Sequence, residues 1–406
     1  MKLLYFTRDP YPTFRADIAV LFGKYLPRHG IQSDIVAQEN EPGDAQRASW
    51  GGGKALLCGR GGSRAITAVM PILHTLRVLW RTRRTPYDAY QVRDNPLQAA
   101  FVLAAAALRR RPFFYWMSFP MVEAYFELAR RGPRSIGWLR YLYALFRGHL
   151  GKGIFYRFVA MRATHLFVQS EQMAADMVAA GVPRERMTPV PMGVDLETAS
   201  PDTVPPADDP RLAGRRIVAY LGTLERTRRV DLLFEALARV RKSIPEVLLV
   251  LAGDTPDADH RAWLRSRAEE LGVADAVLWT GWLPTAEAWR YLRAAELGVS
   301  PFPRGFLLDS CSPTKAVEYM ALGLPALVND QPDQAAVVAE SGAGLCAPLT
   351  AEGFAEAIAA LLADRARLAA MAARGPAYVA GHRSYDIIAR RVAGTYDRLL
   401  GGAAHA

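Results

Sequence analysis

The chain has 406 residues, of which 51% are hydrophobic and 22% charged, so it can form the cores of two ordinary domains and is not expected to be disordered. Its three cysteines, Cys58, Cys311 and Cys346, form no closely spaced pair, which argues against a disulfide scaffold or a structural zinc site and favours a reducing compartment. The formal net charge of +10 predicts an anionic partner, and nucleic acid, anionic lipid and phosphorylated small molecules are all compatible with the charge alone.

Neither a signal peptide nor a membrane-spanning helix is expected. The short apolar run after Met1 is interrupted at Arg8 and Asp9, which is unlike a secretory leader. No run of about 18 apolar residues, the length that a spanning helix needs, occurs in the sequence. These features predict a cytoplasmic location.

The first half of the chain alternates apolar strand patterns with helix patterns. Helical spacing runs from about Arg15 to Pro27, and a second helix pattern runs from Glu171 to Ala180. This order predicts a parallel sheet that is covered by helices. The predicted strands lie at residues 3–7, 31–36, 89–92, 113–117, 166–169 and 188–191.

The second half restarts the same alternation after a linker rich in proline and aspartate at residues 201–210. Strand patterns at residues 217–221, 247–252, 276–280, 297–301 and 326–329 are each followed by a helix pattern. The sequence therefore predicts an α/β protein with two Rossmann-like, doubly wound domains facing a cleft, with ligands bound beyond the carboxyl ends of the strands. The predicted domains are residues 1–193 and 194–384, followed by a C-terminal helix in residues 385–406 whose return to the first domain is left open.

The most distinctive candidate segment begins at Ser312. Ser312 is predicted to cap a helix that has Pro313 at its first position, which leaves the backbone N–H groups of Thr314 and Lys315 free to bind an anion. Glu318 lies one turn beyond Thr314 on the same face and can accept hydrogen bonds from sugar hydroxyls. An ordinary capped helix with a solvated glutamate is the alternative interpretation.

A second candidate segment is the loop directly after the first strand of the second domain. It begins at Gly222 and contains Arg226, Arg228 and Arg229. Arginine presents a fixed fork of donors that suits the oxygens of a diphosphate. A solvated basic loop is the alternative.

Several short segments together resemble a known family, although each alone is weak. They are, in chain order, Val168-Gln169-Ser170-Glu171, Gly181-Val182-Pro183, Pro191-Met192-Gly193-Val194-Asp195, Tyr220-Leu221-Gly222, Leu251-Ala252-Gly253-Asp254 and the stretch from Ser312 to Pro325. With these motifs the chain resembles the family 4 retaining glycosyltransferases of the "glycosyl transferases group 1" type, which have the GT-B fold. The matches span nearly the whole chain.

The resemblance implies a nucleotide-sugar site in the second domain. In the family, the glutamate at the position of Glu318 hydrogen-bonds the donor ribose, and the cation at the position of Arg228 contacts the donor diphosphate. These two residues are therefore the candidate catalytic residues. The donor-binding candidates are Gly222, Thr223, Arg226, Arg228, Gly253, Ser310, Ser312, Pro313, Thr314, Lys315 and Glu318.

Two donor-side positions depart from the family pattern. A family arginine falls at Thr223, and we hypothesise that Arg226 supplies the missing charge. The earlier of two family glutamates falls at Ser310, beside Asp309. That glutamate usually contacts hydroxyls of the donor sugar, so the resemblance leaves the identity of the sugar open.

The acceptor side departs from the family as well. Thr13 and Arg15 lie in the loop that replaces a glycine-rich loop after the first strand, and Ser118 stands near the position of a family histidine. Together with Glu171 these residues are the acceptor-side candidates. His165 lies at a strand start and is interpreted as structural.

The resemblance implies retention at the anomeric carbon, with attack on the face that the diphosphate leaves. No Asp-x-Asp motif lies where a donor phosphate would bind, so a metal-independent reaction is expected, in which arginines stabilise the leaving nucleoside diphosphate. No cofactor is expected, and the donor substrate would be a UDP- or GDP-sugar.

Two segments mix aromatic and basic residues, at 76–84 and 134–162. Such a surface suits an interfacial helix on anionic lipid, where the acceptor would be a lipid-linked sugar. Aromatic residues in a domain core, with arginines that keep the surface soluble, are the alternative.

The resulting hypothesis is a glycosyltransferase that moves a hexose from a nucleoside-diphosphate donor to a polysaccharide or lipid-linked acceptor. Attachment to the inner face of the plasma membrane is left open. The alternatives are a catalytically weak or degenerate family member and another GT-B enzyme such as a sugar-nucleotide epimerase. A nucleic-acid binder is disfavoured because no nucleic-acid motif occurs.

Overall fold

The computed structural model describes residues 1–41, 43, 49–59 and 64–401, and for residues 64–69 it describes the backbone only. The chain divides into two compact units. The first unit is Met1–Pro191 together with the stretch that begins at Ile388, and the second unit is Met192–Ile387.

The described part of the first unit contains a seven-stranded parallel sheet with the order β3-β2-β1-β4-β5-β6-β7. The central strands are apolar runs without polar alternation, as expected for a sheet that is covered on both faces; all five residues of β5, for example, are buried. The strands are β1 Lys2–Thr7, β2 Gln32–Gln38, β3 Ala55–Cys58, β4 Ala89–Arg93, β5 Phe113–Met117, β6 His165–Val168 and β7 Met187–Pro189.

Helices connect these strands and cover the sheet. The first of them has π-type hydrogen bonding. Asn95 caps α4 by accepting a hydrogen bond from the backbone N–H of Gln98, and Ser170 caps α10 through Met173 in the same way. The helices are α1 Asp17–Tyr25, α2 Leu26–Arg28, α3 Arg64–Arg81, α4 Pro96–Leu108, α5 Met121–Arg130, α6 Pro133–Ile136, α7 Trp138–Lys152, α8 Gly153–Val159, α9 Ala160–Arg162 and α10 Glu171–Ala179.

Strand β3 is absent from the sequence prediction because glycine runs flank it. The structure gives a packing reason for the glycines that precede β3. A Cβ atom on Gly53 would lie 2.7 Å from the carbonyl oxygen of Ser33 and 2.7 Å from a carboxylate oxygen of Asp34, both on β2. The glycine allows the chain to pass close to β2 before it pairs with that strand.

The second unit contains a six-stranded parallel sheet, within the described residues, with the order β10-β9-β8-β11-β12-β13. As in the first unit, the strand order reverses beside the first strand, which is the arrangement of a doubly wound Rossmann-like sheet. The strands are β8 Arg216–Leu221, β9 Val247–Ala252, β10 Val277–Trp279, β11 Leu297–Ser300, β12 Ala326–Val328 and β13 Gly344–Cys346.

Helices again alternate with these strands. Most strands and helices of this unit lie within a few residues of their predicted positions. The sequence did not predict strand β13 or helices α14, α17 and α18. The helices are α11 Asp231–Val240, α12 Ala258–Glu270, α13 Thr285–Arg293, α14 Phe306–Asp309, α15 Lys315–Ala321, α16 Pro332–Ser341, α17 Ala351–Ala363 and α18 Arg365–His382.

The last helix, α19 Tyr385–Gly401, takes the chain from the second unit back to the first. Its Tyr396 is fully buried and donates a hydrogen bond to the side-chain oxygen of Gln91 on β4. The Tyr396 ring also packs edge-on against Phe114 on β5, with ring centroids 5.0 Å apart. The first unit therefore includes a chain segment that lies far from the rest of it in sequence.

Candidate functional site

The loops after β8 and β9 approach each other closely at the carboxyl edge of the second sheet. The backbone N–H of Gly222 donates to the carbonyl of Ala252 at 2.9 Å. Gly253 has a φ of +146°, and a Cβ atom there would lie 2.2 Å from the carbonyl oxygen of Gly222. Only glycine fits this approach, so the two predicted donor-site glycines form one tightly packed floor.

Arg228 lies beyond this floor, at the end of a short 3₁₀ turn, Arg226–Arg228. Its guanidinium carbon lies 4.6 Å from the centroid of the Phe302 ring. The Nε and Nη1 atoms are buried and have no hydrogen-bond partner among the described residues. A buried guanidinium without partners is costly, and an anionic ligand would satisfy it.

The segment that begins at Ser312 differs from its prediction. Helix α15 begins at Lys315 with Thr314 at the N-cap position, and no side chain caps it. The prediction that Ser312 caps the helix and Pro313 starts it is therefore wrong. The helix has only 7 residues, so its side chains, rather than its amino end, are what this segment offers to a ligand.

Lys315 and Glu318 on α15 are half-buried and lie beside the glycine floor. A Cβ atom on Gly222 would lie 3.1 Å from Cε of Lys315, and the Lys315 ammonium lies 5.2 Å from the centroid of the Tyr220 ring. Burial, helped by the charge of Arg228, lowers the pKa of Lys315 to about 8. Burial raises the pKa of Glu318 to about 7, although Lys315 opposes this shift.

Tyr319 fixes α15 against the sheet. Its hydroxyl accepts a hydrogen bond from the backbone N–H of Leu221 at 3.1 Å and donates to the carbonyl of Val299 at 3.0 Å. A Cβ atom on Gly298 would lie 2.5 Å from the Tyr319 ring, so the helix packs directly on the β11 backbone. This contact holds Lys315 and Glu318 at the carboxyl ends of β8 and β11.

The side chain of Ser312 belongs to a buried polar cluster. Its hydroxyl accepts from the backbone N–H of Met192 at 2.9 Å and donates to Asp333 at 2.7 Å. Arg383 pairs with the same Asp333 at 2.6 Å, and both side chains are only 9% exposed. The structure thus gives the Ser312 hydroxyl a structural role that the sequence did not suggest.

Ser310, which stands where the family has its earlier glutamate, and the neighbouring Asp309 both have local partners. Ser310 is 1% exposed, and its hydroxyl donates to the carbonyl of Phe306 in its own helical turn at 3.0 Å. The neighbouring Asp309 is paired with Arg304 at 2.8 Å. Neither residue presents a free carboxylate at the position where the family has a glutamate.

The loop residues Thr223 and Arg226 lie farther from the buried charges. The Thr223 carbonyl accepts a hydrogen bond from the Tyr220 hydroxyl at 3.1 Å. Arg226 is largely exposed and pairs with Asp257 at 3.4 Å. An exposed pair of this kind contributes little to stability, so Arg226 can turn toward a ligand at small cost.

In the first unit, a buried arginine lies at the carboxyl end of β4, where the strand order reverses. Arg93 is 4% exposed at its side chain and pairs with Asp17 at 2.9 Å, with Asp94 at 3.2 Å and with Asp9. The backbone at Asp94 is left-handed, with a φ of +52°. Ligand sites in doubly wound sheets form at such a point, and the sequence reading did not single out this cluster.

Ser118, an acceptor-side candidate, is part of this cluster. Its backbone N–H donates to Asp94 at 2.7 Å, its hydroxyl donates to the other carboxylate oxygen, and the N–H of Phe119 adds a bond at 3.2 Å. With Arg93 these donors occupy about four acceptor positions, which is the capacity of a carboxylate. Ser118 therefore anchors Asp94.

The other acceptor-side candidates lie at separate places. Arg15 is exposed and pairs with Asp9 at 3.4 Å, and its backbone N–H donates to the Thr13 hydroxyl at 3.1 Å. Glu171 starts α10 and pairs with Arg184 at 3.0 Å. The structure thus brings Arg15 and Ser118 to the Arg93 cluster through Asp9 and Asp94, but it does not connect Glu171 to it.

His165 is a core residue, as interpreted. Its Nε2 lies 2.8 Å from the Thr188 hydroxyl, and the side chain is buried. Burial lowers its pKa to about 4, so the ring is neutral near pH 7.

Two features are absent from the described residues. Among them, no group of three or more histidine, cysteine, aspartate or glutamate side chains is placed to hold a metal ion. No helix in the described part of the chain has the length and apolar character that crossing a membrane requires.

Two protein families match this chain in consecutive regions. Residues 20–193 match the glycosyl transferase 4-like domain, and residues 207–377 match the glycosyl transferases group 1. Together the two matches cover most of the chain, and both families are glycosyltransferases. This confirms the resemblance inferred from the motifs.

Two curated relatives align with about half of this chain. A GDP-mannose-dependent alpha-(1-6)-phosphatidylinositol monomannoside mannosyltransferase of Mycobacterium tuberculosis is 30% identical over 210 residues, 50% of this chain and 54% of that protein. A D-inositol 3-phosphate glycosyltransferase of Segniliparus rotundus is 30% identical over 228 residues, 54% of this chain and 49% of that protein. The similarity spans about half the length of each relative.

A solved structure shows the same fold over almost the whole chain. The Anabaena protein Alr3699/HepE in complex with UDP has a TM-score of 0.71 at 16% identity, covering 98% of this chain and 100% of that chain. This likeness, with the two doubly wound sheets, confirms a GT-B fold built from two Rossmann-like domains.

Proposed function

We propose that the chain is a metal-independent, retaining glycosyltransferase that moves a hexose from a UDP- or GDP-sugar to a lipid-linked or inositol-type acceptor. The observation that carries the proposal is the charge arrangement on the second sheet. Arg228 has two buried nitrogen atoms without partners in the described chain, and burial holds the pKa of Lys315 down at about 8. These two cations suit a diphosphate.

In this proposal, Glu318 binds the ribose of the nucleotide. It lies one helical turn from Lys315 and forms no ion pair with a described residue. A carboxylate in this position would accept hydrogen bonds from two ribose hydroxyls. These hydroxyls would replace the water that a half-buried carboxylate lacks. The site would then bind a nucleoside diphosphate through its diphosphate group, at Arg228 and Lys315, and through its ribose, at Glu318.

The chemistry follows from these charges. An acceptor hydroxyl oxygen forms a bond to the anomeric carbon as the bond from that carbon to the diphosphate oxygen breaks, and the hydroxyl proton passes to the leaving diphosphate. Arg228 and Lys315 would stabilise the negative charge that develops on the leaving group. Retention requires that attack and departure share one face of the sugar, as the family resemblance implies.

The acceptor class in this proposal is supported by the relatives, whose names specify phosphatidylinositol monomannoside and D-inositol 3-phosphate. Since the similarity covers only about half of those proteins, their substrates are carried over here as a proposal. A polysaccharide acceptor is the alternative that the sequence analysis left open.

The experiment is a thermal-shift series with UDP, GDP and a panel of their sugars on the wild-type chain and on Glu318→Ala. We expect stabilisation by one nucleotide in the wild type and a clearly smaller shift in the variant. Equal shifts in the two proteins would refute the assignment of Glu318, and no shift with any nucleotide would refute the function.

A second candidate function is donor binding with weak turnover. Ser310 supports it, because its buried hydroxyl is bonded within its own helical turn and no carboxylate replaces the family's sugar-binding glutamate. Nucleotide binding without measurable donor hydrolysis or transfer would favour this candidate.

We further propose that α7 docks the protein on an anionic membrane surface. Leu139, Leu142, Phe146 and Leu150 lie on one helical face and are 86%, 55%, 63% and 38% exposed. Arg140 on the same helix is exposed as well. A helix with apolar residues and arginines at its surface suits the interface of an anionic bilayer.

The docking proposal predicts salt-sensitive sedimentation with vesicles that contain phosphatidylglycerol. Leu139→Glu combined with Phe146→Glu should abolish this sedimentation at low salt, whereas Val178→Glu, an exposed apolar position on α10, should leave it intact. Sedimentation that survives the double substitution would exclude α7 as the docking helix.

A further inference from the structure

A cavity of about 390 Å³ lies at the carboxyl edge of the first sheet, a size that suits a small-molecule site. The ends of β1, β2 and β3, the starts of α4 and α5, and residues from α3 and α7 form its walls. Its polar lining residues include Arg8, Gln38, His74, Asp94, Asn95, Gln98 and Arg147.

Gln98 brings an unsatisfied acceptor to this cavity. The side chain is 6% exposed, and its amide nitrogen donates to the Thr75 hydroxyl at 2.8 Å. Thr75 uses its own hydrogen to donate to the carbonyl of Pro71 at 2.7 Å, so it can only accept from Gln98. This fixes the orientation of the Gln98 amide, whose oxygen is buried without a partner among the described residues.

Two further residues that line the cavity offer a hydrogen-bond donor, on Gln38, and a hydrogen-bond acceptor, on His74. The Gln38 side-chain nitrogen is buried and has no partner in the described chain. His74 places Nε2 at 3.0 Å from the carbonyl of Leu56, so that nitrogen carries the hydrogen. Burial lowers the pKa of His74, which leaves Nδ1 as an acceptor near pH 7.

Two arginines add positive charge to the same cavity. Arg8 donates to the sulfur of Met121 at 3.3 Å, and Arg147 lies over the Tyr125 ring at 5.4 Å. Neither forms an ion pair within 4.0 Å with a carboxylate of the described chain. Asp94 does not neutralise them, because it is already bonded to Arg93, Ser118 and Phe119.

These groups limit the chemistry of the ligand. A hydrocarbon would leave the Gln98 oxygen and the Gln38 nitrogen unsatisfied. A ligand with acceptor oxygens only would not satisfy the Gln98 oxygen. Hydroxyl groups both donate and accept, and a phosphate suits two unpaired arginines.

We propose that this cavity binds a polyol phosphate, with Gln98, Gln38 and His74 bonding its hydroxyls and Arg8 and Arg147 bonding its phosphate. The inference rests on the proposed function, because it defines the head group of the acceptor. The polyol phosphate can be a soluble molecule or the head group of a phospholipid. Helix α7 contributes Tyr143, Arg147 and Leu150 to the cavity.

The test is calorimetric titration of the full chain with myo-inositol 1-phosphate and with myo-inositol, beside sedimentation with phosphatidylcholine vesicles that do or do not contain phosphatidylinositol. Binding of the soluble phosphate alone identifies a soluble ligand, and binding of phosphatidylinositol vesicles beyond that of phosphatidylglycerol vesicles of equal charge identifies a lipid head group. Binding of both supports the shared head group.

Two variants test the residues. We expect Gln98→Met to weaken binding of the polyol phosphate by about tenfold or more. Arg147→Met should weaken it similarly but leave the weaker binding of myo-inositol unchanged. Gln172→Met, which removes an amide bonded to Asp176 on α10, is the control and should bind as the wild type does.

UDP and GDP binding is measured on the same samples and should be unchanged in all three variants. Normal nucleotide binding without polyol phosphate binding, in solution and on vesicles, would overturn this inference and leave the proposed function standing. Wild-type affinity of Gln98→Met for the polyol phosphate would reduce the interaction to general attraction of anions and would overturn the inference too.

Discussion

Arg228 carries a charge that its surroundings in the second unit do not neutralise. Its ring contact with Phe302 holds the guanidinium in place, while two of its nitrogen atoms are left without a described partner. Arg226, four positions after Gly222, is exposed and already paired. The structure thus separates two arginines that look equivalent in the sequence.

Substitution tests this difference. Arg228→Met should weaken binding of UDP or GDP by roughly 10- to 100-fold, because a charge-assisted hydrogen bond contributes about 1.5–3 kcal/mol. Titration calorimetry measures the effect. Arg229→Met, which removes an exposed arginine paired with Asp231, is the matched control. Equal affinities in the Arg228 variant and the wild type would show that this guanidinium does not bind the diphosphate.

The opposed shifts of Glu318 and Lys315 predict a pH optimum for nucleotide binding. Affinity should rise as Glu318 ionises near its pKa of about 7 and fall as Lys315 loses its proton near its pKa of about 8. In Glu318→Gln, the fall in affinity at acidic pH should reflect only protonation of the nucleotide's own phosphates. In Lys315→Met, the fall in affinity at alkaline pH should disappear. A wild-type affinity that is constant from pH 6 to 9 would contradict both assignments.

The same shifts affect the stability of the free protein. Glu318 binds its proton more tightly in the folded state, so the stability that it contributes falls between its usual pKa of 4.5 and about 7. Lys315 binds its proton less tightly in the folded state, so stability rises between about 8 and its usual pKa of 10.5. The site costs most stability between pH 7 and 8, where it is expected to bind best.

At the scale of elements, the start of α15 shows why local signals were insufficient. Ser312 followed by proline is a common helix start, yet the hydroxyl of Ser312 bonds Met192 and Asp333. Those partners lie far away in the sequence, and a local pattern cannot reveal such competition. Glu318 and Lys315 were found because family motifs carry them on one short segment.

The buried Arg383–Asp333 pair predicts a clear non-additivity. Arg383→Met alone should cost about 3–5 kcal/mol of unfolding free energy in urea titrations, because it leaves Asp333 buried without its cation. Asp333→Leu with Arg383→Met should recover much of that loss. A double variant as unstable as the sum of the single variants would show that the pair is not energetically coupled.

At the scale of the whole molecule, the alternation of strand and helix patterns was sufficient to predict two doubly wound domains, since that pattern depends on short-range periodicity. Strand β3 was missed because its flanking glycines resemble a loop. The first-unit cavity was missed because Gln38, His74 and Gln98 come from three elements and form no motif. A polar cavity depends on tertiary packing that sequence spacing does not show.

The net charge of +10 also has a specific interpretation at this scale. We propose that Arg8 and Arg147 at the first-unit cavity, and Arg228 and Lys315 in the second unit, bind phosphate groups of small ligands rather than nucleic acid. In the docking proposal, the exposed Arg140 of α7 adds attraction to an anionic membrane surface.

The most direct test of the central claim is release of nucleoside diphosphate from a panel of UDP- and GDP-sugars, measured by mass spectrometry with phosphatidylinositol vesicles present. We expect the wild type to release UDP or GDP from at least one donor and to attach its sugar to the acceptor. Arg228→Met should lose this activity, whereas Arg229→Met should retain it. Equal release by the wild type and Arg228→Met, or no nucleotide binding by the wild type, would refute the proposed donor site.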